Sequence, residues 1–170
     1  YSASKASSDL LVQSWARTFN LDYVITNCSN NFGARQYTEK LIPTVIRKIT
    51  SNQKIPIYGN GLNIRDWIYA KDHAQAIISL HEQDIINERI NIGGDHEISN
   101  LSLVENILNM MGCDKDLIEF VGDRPGHDLR YAIDNSKIYS LTDWRPSQHF
   151  EQNLQETIEW YKNNLNWWEP

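Results

Sequence analysis

The sequence of 170 residues is poor in cysteine and in positive charge, and it contains no long apolar run. Its two cysteines, Cys28 and Cys113, form neither a CxxC pair nor a zinc-binding spacing, which predicts free thiols in a reducing, cytoplasmic compartment. No apolar run approaches the roughly 18 residues that a membrane-spanning helix needs. The 16 Lys and Arg are outnumbered by 22 Asp and Glu, and the net charge of -6 argues against a general nucleic-acid-binding protein. Any anionic ligand must therefore be held by local positive charges.

The rest of the composition is that of a globular protein. Hydrophobic residues make up 41% of the chain and charged residues 22%, with only eight Gly and five Pro, which excludes disordered and collagen-like chains. A chain of this length suggests one domain or a large piece of one. The first residue is Tyr1 rather than Met, and a helical pattern starts there with no preceding cap or strand. We therefore expect the chain to be the C-terminal part of a longer protein.

Apolar residues that recur at steps of three and four predict five amphipathic helices. The predicted helices are 1–19, 39–50, a helix capped by Asp72 that ends near His81, a helix that begins with the capping box Ser102 and Glu105 and closes at Gly112, and a last helix from about 150 to 165. Three β-prone runs, 23–28, 55–58 and 90–93, lie between them, and Pro56 marks the second run as an edge strand. Helices that alternate with strands in this way predict an α/β fold.

Tyr1 and Lys5 are four residues apart and share one face of the first predicted helix. A lysine cation near a phenol favours the phenolate, which makes the tyrosine a usable general acid or base near neutral pH. The same pair occurs by chance on many helices, so a surface pair without function is the alternative interpretation.

Two kinds of cluster are typical of a polar ligand site. Asparagines, including Asn30 and Asn31, follow the run 23–28, at the end of a strand where α/β sheets place their ligands. Their alternative is a turn in which the side chains satisfy the backbone. Arg65 and Arg124 lie in the segments 65–69 and 123–128, and guanidinium groups bind diphosphates through paired hydrogen bonds. The alternative is that Arg65 and Asp66 pair with other charges on a solvated surface.

Seven motifs occur in the order and approximate spacing of the dTDP-glucose 4,6-dehydratase family, which belongs to the extended short-chain dehydrogenase/reductase superfamily. They are Tyr1-Ser-Ala-Ser-Lys5, Asn27-Cys-Ser-Asn-Asn31, Glu39-Lys-Leu-Ile-Pro43, Pro56-Ile-Tyr-Gly59, Arg65-Asp-Trp-Ile-Tyr69, Asn91-Ile-Gly-Gly94 and Asp123-Arg-Pro-Gly-His-Asp128. The resemblance covers essentially the whole chain, and its most specific part is 123–128, where related epimerases and decarboxylases usually differ. Phe32 and Ala34 depart from the residues usual in the family, which are Tyr and Pro.

The resemblance implies the C-terminal part of a Rossmann-type NAD-binding fold together with a smaller α/β substrate-binding domain. Residues 1–34 would end the NAD-binding domain, and 35–170 would mainly bind the nucleotide sugar, with segments of about 66–94 returning to the Rossmann sheet. The implied activity is a hydro-lyase reaction that converts dTDP-glucose to dTDP-4-keto-6-deoxyglucose in deoxysugar biosynthesis. NAD takes the hydride from the fourth sugar carbon and returns it to the sixth after water is lost.

The resemblance also implies the role of each site residue. Tyr1 would exchange the proton of the glucose 4-hydroxyl, Lys5 would tune Tyr1 and contact the cofactor, and Asn31 would lie against the cofactor. The residues implied to line the nucleotide-sugar pocket are Asn30, Lys40, Leu41, Pro56, Ile57, Tyr58, Arg65, Asn100, Asp123, Arg124, Pro125, Gly126 and His127. Arg65 and Arg124 are the candidates for the diphosphate, and the family forms homodimers through the first helix.

The sequence contains neither the glycine-rich phosphate loop of the family nor its paired Asp and Glu, which the resemblance places upstream of Tyr1. We therefore expect this chain alone to be inactive and to require an N-terminal half. An NAD-dependent nucleotide-sugar epimerase and a catalytically silent nucleotide-sugar-binding module are the alternative functions.

The remaining unusual residues favour structural interpretations. No spacing suited to a metal occurs among the histidines, which we expect to be structural or exposed; these are His73, His81, His96 and His149. Trp15, Trp160 and Trp167 fall in helical patterns and predict core or interface positions rather than base stacking.

Overall fold

The computed structural model describes residues 1–168, and the side chains of residues 1–167. Within the described residues it contains six α-helices and two short 3₁₀ helices. The α-helices are α1 Ser2–Phe19, α2 Leu41–Thr50, α3 Ala70–Glu82, α4 Asn100–Met110, α5 Ser136–Leu141 and α6 Phe150–Asn163, and the 3₁₀ helices are Lys115–Leu117 and Leu165–Trp168. The five predicted helices are all present, whereas the short α5 was not predicted.

Eight strands lie between the helices in the described part of the chain. They are β1 Val24–Cys28, β2 Asn30–Phe32, β3 Ile55–Tyr58, β4 Ile64–Tyr69, β5 Glu88–Ile92, β6 Glu97–Ser99, β7 Ile118–Val121 and β8 Arg130–Tyr131. The three predicted strands correspond to β1, β3 and β5. The other five are short or interrupted by polar residues, so period and β-propensity did not reveal them.

Most of the strand pairs are parallel. β1 pairs with β5, and β3 pairs with β7, which leaves the predicted edge strand with one partner among the described strands. β4 is the hub of the third sheet, since it pairs with β2 and β8 in parallel and with β6 in the antiparallel sense. The predicted α/β fold is confirmed.

β4 separates two apolar cores because neighbouring side chains of a strand point to opposite faces. Trp67 and Tyr69 belong to a core that α2, α4 and α6 build with β3. Ile68 belongs to a second core, between α3, α5 and the β1–β5 pair. Trp160 packs against the first core, as predicted. The strand is therefore packed on both faces.

The starts of two helices differ from the prediction. α4 begins at Asn100, and its cap is Ser99, whose Oγ accepts a hydrogen bond from the backbone N–H of Ser102. Asp72 does not cap α3, since its carboxylate turns inward and accepts hydrogen bonds from the N–H and Oγ of Ser147 at 3.1 and 2.7 Å. Both predictions were wrong. For α4, local spacing could not show that Ser99 rather than Ser102 has the backbone angles of a cap. For α3, it could not show that Asp72 has a partner 75 residues away.

The predicted end of α4 is confirmed. Gly112 adopts a left-handed φ of 67°, which a glycine tolerates without strain. The N–H of Gly112 donates to the carbonyl of Asn109, and the N–H of Cys113 donates to that of Leu108. These two bonds form a Schellman motif, which satisfies carbonyls that the helix end would otherwise leave unpaired.

α1 lies outside both cores. Ala16 is its one buried residue, and Trp15 is 59% exposed, so Trp15 does not belong to the core of this chain. A groove of about 340 Å³ runs along the helix, lined by Leu11, Val12, Trp15, Ala16, Leu21, Asp22 and Tyr23. The interface position of Trp15 stays a prediction.

The division at residue 34 also stays a prediction. Strand pairing does link the two predicted parts, because β1 and β2 lie before this boundary and their partners β5 and β4 lie within or close to the segment 66–94. Residues 169–170, the end of the predicted second domain, lie outside the described residues.

Candidate functional site

The Tyr1–Lys5 pair occupies the first turn of α1. The backbone N–H of Lys5 donates to the carbonyl of Tyr1 at 3.0 Å, which places the two residues one helical turn apart as predicted. The phenol of Tyr1 is 95% exposed. Neither the Tyr1 nor the Lys5 side chain forms a hydrogen bond or ion pair with residues 1–168. Both groups are therefore available to a ligand.

Asn31 lies in β2, three residues past the end of β1, and its polar groups are held from three sides. Its Nδ2 donates to the carbonyl of Ser29 and to Sγ of Cys28, both at 3.2 Å. Its Oδ1 lies 2.9 Å from Nδ1 of His73, and its backbone carbonyl accepts from Nε2 of Gln36 at 2.8 Å. Asn30, the preceding residue of β2, is half-buried and is in register with Trp67 of β4.

Arg65 is 7% exposed, which contradicts its interpretation as a solvated surface charge. Its guanidinium donates to the carbonyls of Ile64 and Asp128, at 2.7 and 2.9 Å. Burial lowers the pKa of Arg65, the Asp128 carboxylate opposes this effect, and the positive charge of Arg124 lowers the pKa further. Arg65 and Arg124 are thus close enough to repel each other, an arrangement that a bound anion would stabilise.

Asp66 is 2% exposed, so it is not a surface charge either. Its two carboxylate oxygens accept hydrogen bonds from the N–H groups of Gly94 and His96, both at 2.9 Å. The carboxylate therefore ties the loop after β5 to β4.

The segment 123–127 is folded on itself. Oδ1 of Asp123 lies 2.7 Å from Nδ1 of His127 and accepts from the N–H of Arg124 at 2.8 Å. The hydrogen bond from His127 and the N–H of Arg124 lower the pKa of Asp123. The His127 side chain is 4% exposed, whereas the Arg124 side chain has no hydrogen-bond partner in the described chain.

Two other elements, β3 and α4, bring predicted pocket residues close to this segment. β3, which contains Pro56, Ile57 and Tyr58, is followed by Gly59, where an added Cβ would lie 2.9 Å from the Asp123 carboxylate. Gly59 has a φ of 59°, so a glycine is favoured there on both grounds. Asn100 is held beside this region because its N–H donates to the carbonyl of Asn63, whose own side chain donates to the carbonyl of Asp128.

Other predicted residues are not joined to this group by direct contacts. Lys40 and Leu41 lie at the start of α2, and Nζ of Lys40 pairs with Glu39 at 2.9 Å on the surface. No hydrogen bond or ion pair within 1–168 links the Tyr1–Lys5 pair to Arg65 or to 123–127.

Two side chains at the site carried no clear signal in the sequence. Gln36 and His73 both bond to Asn31, and His73 belongs to the histidines predicted to be structural or exposed. His96 is structural, since its ring stacks on Phe150 with the centroids 3.7 Å apart. The described residues contain no cluster of His, Cys, Asp and Glu that suits a metal ion, and no helix among them is long and apolar enough to cross a membrane.

The fold and this group of residues define an α/β protein of the nucleotide-sugar dehydratase and epimerase type. Residues 1–157 match the family model for GDP-mannose 4,6 dehydratase, and the chain belongs to that family. The resemblance drawn from the motifs is confirmed, since the chain is 46% identical to a dTDP-glucose 4,6-dehydratase of Escherichia coli over 99% of its own length. It covers 50% of that relative.

Two solved structures agree with this assignment. The dTDP-glucose 4,6-dehydratase from Bacillus anthracis, in complex with NAD, gives a TM-score of 0.92 at 45% identity and covers all of this chain. The enzyme of the same name from Streptomyces venezuelae, with NAD bound, gives 0.95 at 40% identity with the same coverage. This chain accounts for 54% and 53% of those two chains. It therefore spans about half the length of the relatives it matches.

Proposed function

We propose that the protein to which this chain belongs is a dTDP-glucose 4,6-dehydratase, a hydro-lyase that forms dTDP-4-keto-6-deoxyglucose. The observation that carries this proposal is the position of the segment 123–127, the part of the motif set most specific to these enzymes. It lies against the end of β3 and beside Arg65, where two guanidinium groups repel each other. A sugar-linked diphosphate supplies the negative charge that this arrangement favours.

The substrate pocket is proposed to consist of the predicted residues on β2, α2, β3, β4 and α4 and in the segment 123–127. These are Asn30, Lys40, Leu41, Pro56, Ile57, Tyr58, Arg65, Asn100, Asp123, Arg124, Pro125, Gly126 and His127. Arg65 is fixed by two backbone carbonyls and supplies a rigid charge, whereas Arg124 has an unengaged guanidinium that can close on the ligand. The pocket thus combines a preorganised and an adaptable cation.

The residues of this chain also suit the nicotinamide half of NAD, which supplies reversible hydride acceptance when bound. Tyr1 and Lys5 present an unengaged phenol and ammonium on one helix face, and Asn31 presents a fixed carboxamide at a strand end. Tyr1 would take the proton of the glucose 4-hydroxyl, which is not returned to that oxygen because the product keeps a 4-keto group. Lys5 would stabilise the phenolate and hold the cofactor ribose.

The other half of the protein is proposed to supply the groups that this chain lacks. These are a glycine-rich loop for the cofactor diphosphate, and the Asp and Glu that remove water across the fifth and sixth sugar carbons. This chain alone is then inactive. We further propose a cytoplasmic protein, in keeping with the free Cys28 and Cys113, and a homodimer through the exposed apolar face of α1.

Mass spectrometry of dTDP-glucose after incubation with the complete protein and NAD tests the proposal. With the complete protein, we expect the mass of the sugar nucleotide to fall by one water. With this chain alone, and with a Tyr1→Phe variant of the complete protein, we expect no change in mass. A rearranged sugar of unchanged mass would identify an epimerase instead. Binding of dTDP-glucose without any reaction would leave only a nucleotide-sugar-binding module.

A further inference from the structure

The fold places His73 beside Asn31 by strand pairing. β2 and β4 run parallel with Asn31 in register with Ile68, and α3 begins directly after β4, so the first turn of α3 lies over the end of β2. Gly33 permits this close approach, because a Cβ on Gly33 would lie 3.3 Å from the Cβ of Ala70. His73, the fourth residue of α3, then reaches Asn31 with its imidazole.

The contacts of Asn31 fix the orientation of its carboxamide. A carbonyl oxygen and a sulfur lie at 3.2 Å from one end of the amide, and both are acceptors, so this end must be the NH₂ group. The opposite end, Oδ1, therefore faces His73. An oxygen can only accept, which assigns the proton of this 2.9 Å hydrogen bond to Nδ1 of His73.

The surroundings of the other imidazole nitrogen, Nε2, also place the proton of His73 on Nδ1. Nε2 of His73 is buried and has no hydrogen-bond partner within residues 1–168. A proton on this nitrogen would be an unsatisfied buried donor, and burial correspondingly lowers the pKa of His73. His73 is therefore neutral, with its proton on Nδ1 and directed at Asn31.

We propose that His73 is a positioning residue that holds the Asn31 carboxamide in the orientation required to contact the cofactor, an inference that rests on the proposed NAD-dependent function. With both N–H bonds of Asn31 engaged by Ser29 and Cys28, the free lone pair of Oδ1 and the amide face remain for the cofactor. Without His73, the carboxamide keeps only the two 3.2 Å contacts at its NH₂ end, so its Oδ1 end is no longer held and its orientation is less firmly fixed. The histidine itself touches neither substrate nor cofactor in this assignment.

NAD titration of the complete protein, freed of bound NAD, tests the inference through a dissociation constant rather than through turnover. His73→Phe removes the donor but keeps a planar ring, whereas His73→Asn places an amide N–H near the former Nδ1. His81→Phe, at the exposed end of the same helix, is the matched control. Loss of one neutral hydrogen bond predicts a dissociation constant about two- to tenfold higher for His73→Phe, with recovery to within about twofold for His73→Asn. His81→Phe should match the wild type.

A double-mutant cycle with Asn31→Ala separates positioning from general destabilisation. If His73 acts through Asn31, then His73→Phe weakens NAD binding in the wild-type background and has no further effect once Asn31 is alanine. An equal loss in both backgrounds, or no loss in either, would overturn the inference. Wild-type protein that binds NAD and dehydrates dTDP-glucose in either of those cases retains the proposed function. A wild-type protein that binds no NAD would overturn both.

Discussion

Arg65 and Asp66 are neighbours in the chain, but their side chains leave β4 on opposite faces. Asp66 satisfies the N–H groups of Gly94 and His96, while Arg65 binds two carbonyl oxygens. The two charges therefore do not neutralise each other. Since carbonyls are neutral acceptors, the positive charge of Arg65 remains available to an anionic ligand.

Arg124 is the more replaceable of the two arginines because its side chain supports no other part of the described structure. We expect Arg124→Ala to weaken binding of dTDP to the complete protein by about tenfold or more, since it removes charged hydrogen bonds to phosphate. The dTDP affinity of Arg124→Lys should lie between those of the wild type and Arg124→Ala, because lysine keeps the charge and loses the paired hydrogen-bond donors of the guanidinium. Calorimetric titration measures the effect. Arg47→Ala, in the last turn of α2, is the control, and an equal loss there would point to overall charge instead.

His96 is expected to make stability depend on pH. Burial lowers the pKa of its imidazole from 6.5, although Glu151 and Asp66 oppose this. The unfolded chain takes up a proton below about pH 6.5 that the folded protein resists, so stability is lost as the pH falls through this range. His96→Phe keeps a ring against Phe150 and removes the titration. The urea midpoint of the variant should therefore fall less than that of the wild type between about pH 8 and pH 5.5, and parallel decreases would contradict this.

At the scale of helices and strands, hydrophobic periodicity predicted the long elements, because a long element shows its own repeat of apolar residues. α2 and the end of α4 follow the apolar spacing and the glycine signal closely. β6 and β8 span three and two residues, which is too few to show a period. They form strands because their backbones pair with β4. Sequence could not place Asp72 for a similar reason, since its partner Ser147 arrives from a distant loop.

The start of α4 offers a direct test of capping. Ser99→Ala removes the oxygen that accepts the Ser102 N–H and should lower the free energy of unfolding by about 1 kcal/mol. Ser102→Ala removes only an exposed hydroxyl that accepts from Ser99 and should change it by less than about 0.5 kcal/mol. Denaturant unfolding of both variants measures the difference. A larger loss of unfolding free energy in Ser102→Ala than in Ser99→Ala would show that Ser102 is the cap instead.

Considered as a whole, the described structure gathers the residues proposed to bind the diphosphate, but it does not join them to the residues proposed to transfer the proton. Arg65 and Asn63 both donate to the carbonyl of Asp128, directly after the segment 123–127, and Asn63 accepts from Asn100. The motifs contain Arg65 and the segment 123–127, whereas Asn100 was implied by the family resemblance. His73 escaped prediction because its role depends on which nitrogen carries a proton, and that follows from contacts across three elements. Tyr1 and Lys5 were predicted as a pair, and they extend from a helix that this chain leaves largely uncovered.

The apolar face of α1 predicts self-association of the complete protein. We expect Trp15→Asp to convert a dimer largely to monomer, because it places a charge in a face that a second copy would bury. Ile78→Asp puts the same charge at an exposed position of α3 and should leave the dimer intact. Light scattering on the eluting protein gives the mass. A Trp15→Asp protein that loses stability but keeps its mass would show that α1 is covered within one copy instead.

The exposure of α1 also sets how its backbone should respond to hydrogen exchange. β1 pairs with β5 along one edge and lies against a buried core, so the amides that it donates to β5 should exchange only when much of the structure opens. α1 contributes one buried residue, Ala16, and an ion pair between Asp9 and Arg89 at 3.4 Å, so little besides its own helical bonds opposes local opening. In this chain alone, the turn that carries Tyr1 and Lys5 should therefore be among the first segments to take up deuterium. The rigidity of Tyr1 and Lys5, the residues proposed to transfer the proton, then depends on what packs on α1 in the complete protein rather than on the fold of this chain.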